Sequence, residues 1–125
     1  MTVTGESLLA SVGLAGEIQG VVCFHLSSKT AAAFTARMLQ IEDPASIPHA
    51  DVIDATGEIA NMIAGNFKSQ LANWNLKTNL TIPSILTGHE MEMEETRYSY
   101  NHSYTFTNSD ANETFSIKIL LRKST

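Results

Sequence analysis

The sequence contains a single cysteine, Cys23, in a chain of 125 residues. One cysteine cannot form an internal disulfide, so the composition excludes a small secreted fold held together by disulfides and favours a reducing compartment. Cys23 lies within the apolar run VVCFHL. We therefore interpret it as a small buried hydrophobic residue rather than as a nucleophile.

Long apolar runs are also missing from the chain. No segment approaches the roughly 18 apolar residues expected of a transmembrane helix, and the first residues, MTVTGESLLASVG, lack the basic start and apolar centre of a signal peptide. The hydrophobic fraction of 43% and the charged fraction of 17% are typical of a globular domain. We therefore expect a cytoplasmic protein with no membrane partner.

Basic residues are few and scattered. The chain has 8 Lys and Arg against 13 Asp and Glu, which gives a formal net charge of -5. Because binding to nucleic-acid phosphates needs clustered Lys and Arg, this charge pattern argues against a nucleic-acid-binding protein. The length suits one domain, spanning residues 1–125, with a single hydrophobic core.

The order of the predicted elements indicates an α+β fold. Two strands at 8–14 and 17–26 read as a hairpin, and helices are predicted at 29–40 and 49–74, separated by a turn with two prolines. Four further strands follow as a meander, predicted at 78–86, 89–98, 100–107 and 113–121. Pro83 requires an edge position or a bulge in its strand. We predict an antiparallel sheet with two long helices packed on one face.

The second helix has two contrasting faces when its residues are placed at about 100° intervals. One face is predicted to be core and carries Val52, Thr56, Ile59, Ile63 and Phe67. The opposite face is polar and carries Asp54, Glu58, Asn61, Gly65 and Lys68. These polar residues are either ordinary solvated helix positions or a contact surface. The contact surface is favoured by Gly65, because glycine in a helix costs about 1 kcal/mol relative to alanine.

Other sequence features give weaker candidate sites. No i, i+4 pair that would predict a transition-metal site occurs among the four histidines, His25, His49, His89 and His102. The acidic strand predicted at 89–98 indicates a solvated surface more than a cation site. The segment GLAGEIQG lies in the predicted hairpin rather than between a strand and a helix, so it does not predict a phosphate-binding loop. A nucleotide-dependent enzyme is therefore disfavoured.

The polar face of the second helix resembles a family motif. DxxxExxN at 54–61 is followed by MIAG, and 21 residues separate Asn61 from Pro83 in TIPSILTG. This combination resembles the phosphatase motif of the CheC and CheX chemotaxis proteins. The segments GEIANMIAGN and GLAGEIQGVVCFHLS, the latter before a helix, are more similar to the CheX branch. The resemblance extends over most of the chain from about Val12 onward.

The resemblance implies a protein phosphatase that acts on an aspartyl-phosphorylated receiver domain of the CheY type. It implies that Asn61 orients the attacking water and that Glu58 pairs with a lysine beside the phosphorylation site of the receiver. Asp54 and Gly65 would contact this partner. The receiver would hold the Mg²⁺, so we expect no metal ligands and no cofactor on this chain.

The resemblance also bears on the number of sites and on assembly. Members with two sites carry the motif on both helices, whereas SSKTAAAFTARMLQ has no Glu followed three residues later by Asn. We therefore expect one site per protomer, and the resemblance implies a homodimer. The chain begins close to its first hairpin, where the family has a further N-terminal helical region, which implies a domain without that region. A non-catalytic adaptor of the same fold, binding a receiver or dimerising, is the alternative function.

Overall fold

The computed structural model of the protein describes residues 6–88 and 97–124. The elements along the chain are β1 (Ser7–Gly16), β2 (Ile18–Ser27), α1 (Ser28–Leu39), a 3-10 turn (Pro44–Ser46), α2 (His49–Asn73), β3 (Thr78–Leu80), β4 (Ser84–Gly88), β5 (Tyr100–Asn108) and β6 (Glu113–Lys123). The strand predicted at 89–98 lies outside the described residues except for Arg97 and Tyr98, which belong to no strand.

The boundaries of the helices follow from local chemistry. The backbone N–H of Thr30 donates a 3.0 Å hydrogen bond to the side-chain oxygen of Ser27, which caps the start of α1. Gln40 ends α1 in the left-handed conformation with φ 56°. Pro48 precedes α2, where its missing N–H removes no helical hydrogen bond. Among the described residues, no helix combines the length and apolar character needed to cross a membrane.

The described strands form one antiparallel sheet in the order β3-β1-β2-β6-β5, with β4 also paired to β1. β3 pairs with residues 14–16 of β1, and β4 pairs with residues 7–11. Two short strands therefore share one edge of β1, and the strand predicted at 78–86 is broken at 81–83. Pro83 lies at this break, on the edge of the sheet. Proline has no backbone N–H, and its absence costs no ladder hydrogen bond at this position.

Of the predicted meander, the last hairpin occurs as β5 and β6, whereas the strand predicted at 78–86 pairs with β1 instead. β3 and β4 lie on the outer edge of β1, whereas β6 pairs with the other side of the first hairpin, along β2. The reason is that β3 and β4 together occupy the outer edge of β1 over most of its length. The edge of β2 is the position at which the long, apolar β6 can complete a ladder, and β5 follows as its hairpin partner.

The hydrophobic core forms between the sheet and the helices. Its strand residues alternate along β1 and β2, so they share one face of the sheet: Leu8, Ala10, Val12, Leu14, Val22, Phe24 and Leu26. Residues of both helices belong to the same cluster: Ala31, Ala36, Val52, Ala60 and Ala64. An antiparallel sheet with two helices is therefore confirmed. α2 is long at 25 residues, and α1 has 12.

The buried face of α2 differs from the predicted one by a rotation about the helix axis. Val52 and Thr56 are buried as predicted, whereas the larger apolar residues of that face are only half-buried: Ile59, Ile63 and Phe67. The deeply buried positions also include Ala60 and Ala64, which are 2% and 0% exposed. Small side chains lie here because they allow the helix to approach the sheet closely while the interior stays densely packed.

Candidate functional site

The polar stripe of α2 is the candidate site, and we define it as Asp54, Glu58, Asn61 and Gly65. Asp54, Glu58 and Asn61 are exposed, and Gly65 is half-buried. Positions three and four residues apart are neighbours on a helix, so the four residues form one row over about three turns. The structure therefore presents them on one accessible surface, while the roles of the individual residues stay predictions.

The side chains of Glu58 and Asn61 are open to an incoming partner. Among residues 6–88 and 97–124, Glu58 makes no ion pair and the side chain of Asn61 makes no hydrogen bond. Asp51 and Asp54 add two carboxylates to the same half of α2, and the first basic residue along the helix is Lys68. This surface is therefore negative toward the helix N-terminus and suits a partner that offers a cation.

The stripe is carried on a firmly packed helix. Thr56, which lies between Asp54 and Glu58 in the sequence, is buried. Its hydroxyl donates a 2.7 Å hydrogen bond to the carbonyl of Val52. Ala60 and Ala64 are buried on either side of Asn61 along the chain. Residues packed in this way hold the exposed side chains between them at a defined height above the sheet.

Pro83, distant in sequence, lies against the motif on α2. A Cβ placed on Gly57 would be 3.9 Å from the Cβ of Pro83 and 3.2 Å from Cδ1 of Ile85. Gly57 immediately precedes Glu58 and lies one turn before Asn61 on the helix. The fold thus brings together the two parts of the motif, the helix at 54–61 and the proline of the edge segment.

The segment at 81–83, between the end of β3 and the start of β4, is anchored to β1 by hydrogen bonds. The backbone N–H of Thr81 donates to the carbonyl of Gly13 at 3.0 Å, and the N–H of Gly13 donates to the Thr81 hydroxyl at 2.8 Å. Gly13 favours this contact, because a Cβ there would lie 3.0 Å from the Thr81 side chain, which would have to shift. Ile82 projects from this anchored segment with 87% of its surface exposed.

Sequence reasoning missed Ile82 and also Met62, which is 65% exposed beside the stripe. A signal for Met62 was available, because it lies four residues after Glu58 and so borders the polar face. No sequence signal pointed to Ile82. A continuous strand over 78–86 would have placed it in the sheet, and only the break at Pro83 exposes it.

A separate groove lies between α1 and the β5–β6 hairpin, with a volume of about 340 Å³. It is lined by Phe34, Arg37, Phe106, Thr107, Asn108, Glu113 and Phe115. Arg37 donates two hydrogen bonds to the Glu113 carboxylate, at 2.9 and 2.7 Å, across its wall. No stripe residue lines this groove. Small-molecule sites are concave, so a reactive row on the convex surface of α2 favours a macromolecular partner.

Two other reactive residue types are buried in the sheet. Cys23 is 2% exposed, and burial raises the pKa of its thiol to about 11, which disfavours the nucleophilic thiolate. His25 is buried with its Nε2 atom 3.1 Å from the hydroxyl of Ser7. Within the described part of the chain, no three His, Cys, Asp or Glu side chains are grouped as a metal ion would need. His89 and its acidic neighbours lie outside that part.

Comparison with protein families and curated proteins gives a consistent result. The family model described as "Chemotaxis phosphatase CheX" matches residues 8–107. The chain is similar to the CheY-P phosphatase CheX of Thermotoga maritima, with 26% identity over 95 residues, 71% of this chain and 57% of that protein. The chain thus spans less than two thirds of the length of this curated relative.

Solved structures with similar folds come from several bacteria. CheX from Vibrio vulnificus matches with a TM-score of 0.78 and 20% identity, over 96% of this chain and 78% of that chain. A chemotactic CheC-like protein from Shewanella oneidensis matches with a TM-score of 0.74 and 22% identity, over 95% and 74%. CheX in the CheX–CheY–BeF3–Mg²⁺ complex from Borrelia burgdorferi matches with 0.65 and 22%, over 98% and 79%. At these identities, the similarity shows the fold.

Proposed function

Because the chain belongs to the CheX family of chemotaxis phosphatases, we propose that it accelerates hydrolysis of the aspartyl phosphate on a CheY-type receiver domain. The observation that carries the proposal is the exposed pair Glu58 and Asn61 on α2, with Pro83 packed beside Gly57. Two relatives support it: one is described as a CheY-P phosphatase, and one was crystallised with CheY. The segment SSKTAAAFTARMLQ of the first helix has no Glu followed three residues later by Asn, so we propose one site per protomer.

The reaction is the hydrolysis of an acyl phosphate. The oxygen of water attacks phosphorus in line, and the bond between phosphorus and the aspartate oxygen breaks. The aspartate carboxylate leaves with the electron pair, and both protons of the water end on the released phosphate, H2PO4⁻. No oxidant and no covalent intermediate on this chain are needed. The protein therefore contributes mainly orientation and charge placement.

Asn61 is the residue that we assign to water positioning. Its carboxamide offers one acceptor and two donors on a short side chain, and no described residue of the chain engages it. The carbonyl oxygen accepts a hydrogen bond from the attacking water, in the way that a glutamine orients water in GTPases. The buried neighbours Ala60 and Ala64 hold the helix, so the water is oriented by a group with little freedom to move.

Glu58 is the residue that we assign to docking. Its carboxylate has no cationic partner among the described residues, and in the complex it pairs with the lysine beside the phosphorylated aspartate. This ion pair sets the depth at which Asn61 approaches the phosphoryl group. Asp54 and Gly65 contact the receiver on either side along the same row. Mg²⁺ belongs to the receiver in this proposal and offsets the charge on the phosphoryl oxygens.

The proposal has a cellular and an assembly part. We place the protein in the cytoplasm, where phosphorylated receivers act. We also propose that both helices cover one face of the sheet, which leaves the stripe accessible.

We also propose a homodimer formed along β5. All nine residues of this edge strand are exposed, and among the described strands it pairs with β6. Sedimentation of the purified protein gives its mass and tests this part.

The decisive experiment compares wild-type protein with Asn61→Ala on a phosphorylated receiver. Wild type should accelerate phosphate release, and the variant should lose about 10²–10³-fold of that acceleration, as when one positioned hydrogen-bonding group is removed. Binding to the receiver activated by beryllofluoride should be retained, and the urea unfolding midpoint should stay near that of wild type. Wild-type rates in the variant would refute the mechanism. Binding without acceleration by wild type would instead select the adaptor function.

A further inference from the structure

Two exposed apolar residues lie on the elements that form the site, α2 and the segment between β3 and β4, and the mechanism above gives neither a role. Met62 is 65% exposed and directly follows Asn61 on α2. Ile82 is 87% exposed in the segment between β3 and β4. Isolated exposed apolar residues are ordinary, so the positions of these two relative to the site decide whether they matter.

Helical geometry places the polar pair between Met62 and the edge segment that carries Ile82. At 100° per residue, Met62 lies about 40° from Glu58 on one side, and Gly57 lies about 40° from Asn61 on the other. Gly57 is the residue against which Pro83 packs, with 3.9 Å between the Pro83 Cβ and a Cβ placed on the glycine. The edge segment therefore borders the stripe on the side opposite Met62.

The exposed residue Ile82 lies in an anchored segment rather than in a loose loop. Thr81 is bound to Gly13 by hydrogen bonds of 3.0 and 2.8 Å. Pro83 has a fixed φ angle and is half-buried beside Gly57. Ile82 is therefore held outward by residues on both of its sides. A rigidly presented side chain loses little conformational freedom when a partner covers it, which favours binding.

We propose that Met62 and Ile82 are the apolar contacts that seat the receiver over Glu58 and Asn61. This inference rests on the proposed function. The partner surface it requires has the phosphorylated carboxylate and a lysine at its centre and apolar side chains on two sides. Such contacts exclude bulk water from the polar centre, and this exclusion strengthens the ion pair of Glu58. The water that Asn61 orients is then the one that reacts.

The chain offers a matched control in Leu86 on β4. Leu86 is 60% exposed, but it lies next to Ile85, which packs against Gly57 on α2. Because side chains alternate along a strand, Leu86 projects from the opposite face of the sheet, away from the stripe. It resembles Ile82 in size and apolar character, and differs in lying within β4 rather than in the segment at 81–83.

The test measures receiver binding and turnover for Met62→Ser, Ile82→Ser, Ile82→Leu and Leu86→Ser. The probe is the receiver domain activated by beryllofluoride and Mg²⁺ for Kd, and the phosphorylated receiver for kcat and KM. We expect Met62→Ser and Ile82→Ser each to raise Kd and KM about tenfold, as for central interface residues, with kcat changed by less than about twofold. Ile82→Leu and Leu86→Ser should behave as wild type. Unfolding midpoints of all four should match that of wild type.

The outcomes separate this inference from the proposed function. Wild-type turnover together with unchanged Kd in both serine variants overturns the inference alone, and so does an equal loss of affinity in Leu86→Ser. Receiver binding without turnover by wild type, with affinity still reduced in the two serine variants, overturns the phosphatase activity and supports the contact surface. A wild-type protein that binds no receiver overturns both.

Discussion

Gly57 packs directly against Ile85, since a Cβ placed on the glycine would lie 3.2 Å from Cδ1 of the isoleucine. The contact joins α2 to the edge strand β4 at the residue that precedes Glu58. Glycine costs about 1 kcal/mol relative to alanine inside a helix. The requirement that outweighs this cost is close approach of the helix to the strand that carries Pro83.

Substitutions at Gly57 should separate size from helix propensity. Gly57→Leu overfills the contact and should lower the free energy of unfolding by about 1–3 kcal/mol. Gly57→Ala gains up to about 1 kcal/mol in helix propensity while the Ile85 side chain must shift slightly, so the net change should stay within about 1 kcal/mol. Urea unfolding measures both. A leucine variant as stable as wild type would show that the helix and β4 are not in close contact.

Gly65 should behave differently, because apart from its chain neighbours and the backbone of its own helix no described atom lies within 4 Å of a Cβ placed there. Gly65→Ala should therefore raise the free energy of unfolding by about 0.5–1 kcal/mol. If the glycine gives clearance to the receiver, the same change should weaken receiver binding several-fold. Asn66→Ala, on the next exposed position, is the control that should leave binding unchanged. Equal binding by Gly65→Ala and wild type would remove the clearance role.

Glu58→Gln tests the docking ion pair, because the amide keeps the shape of the side chain and loses its charge. We expect KM to rise about tenfold at low ionic strength, with a smaller effect on kcat, and the difference from wild type to shrink as salt is added. Asp51→Asn removes a charge two turns earlier on the same half of the helix. An equal effect of Asp51→Asn would indicate general electrostatic attraction in place of a specific pair.

His25 predicts how stability depends on pH. Burial lowers the pKa of His25 from its ordinary value of 6.5. The unfolded chain therefore takes up a proton as pH falls through about 6.5, before the folded protein does. Neutral His25 therefore contributes fully to the free energy of unfolding above that pH. Below it the contribution is lost, by at most about 1.4 kcal/mol per pH unit.

Urea unfolding at about pH 7.5, 6.5 and 5.5 measures this dependence. His25→Gln keeps a polar side chain near the Ser7 hydroxyl but cannot titrate, so it should show a smaller loss of stability on acidification than wild type. Carboxylates titrate in both proteins at lower pH, and the comparison cancels their effect. Parallel pH profiles for the two proteins would show that His25 protonates equally well in the folded state.

The helices and the first hairpin could be predicted from local pattern. The helix predicted at 49–74 occurs as His49–Asn73, because a long amphipathic period gives a strong signal. The break at 81–83 and the two short strands on one edge of β1 could not be predicted in the same way. They depend on which edges remain open in the sheet, and that is decided by contacts between residues far apart in sequence.

The candidate site, like the fold, could be predicted only where it depends on local sequence pattern. Helical periodicity alone identified Asp54, Glu58 and Asn61 as one exposed row. It could not bring Pro83 against Gly57, because that contact requires β4 to pair with β1. The rotation of the buried face toward Ala60 and Ala64 was missed because hydrophobicity ranks alanine below isoleucine and phenylalanine. Close packing against the sheet selects small side chains instead.

In the proposed complex, the break between β3 and β4 adds one partner contact to those made by α2. Asn61 and Glu58 belong to the helix, whereas Ile82 belongs to a three-residue insert held at the sheet edge by Gly13 and by the packing of Pro83. Under the proposed contacts, exchanging residues 81–83 should change the affinity for the receiver, while the turnover rate of a bound receiver stays near that of wild type. The two elements could then be altered one at a time.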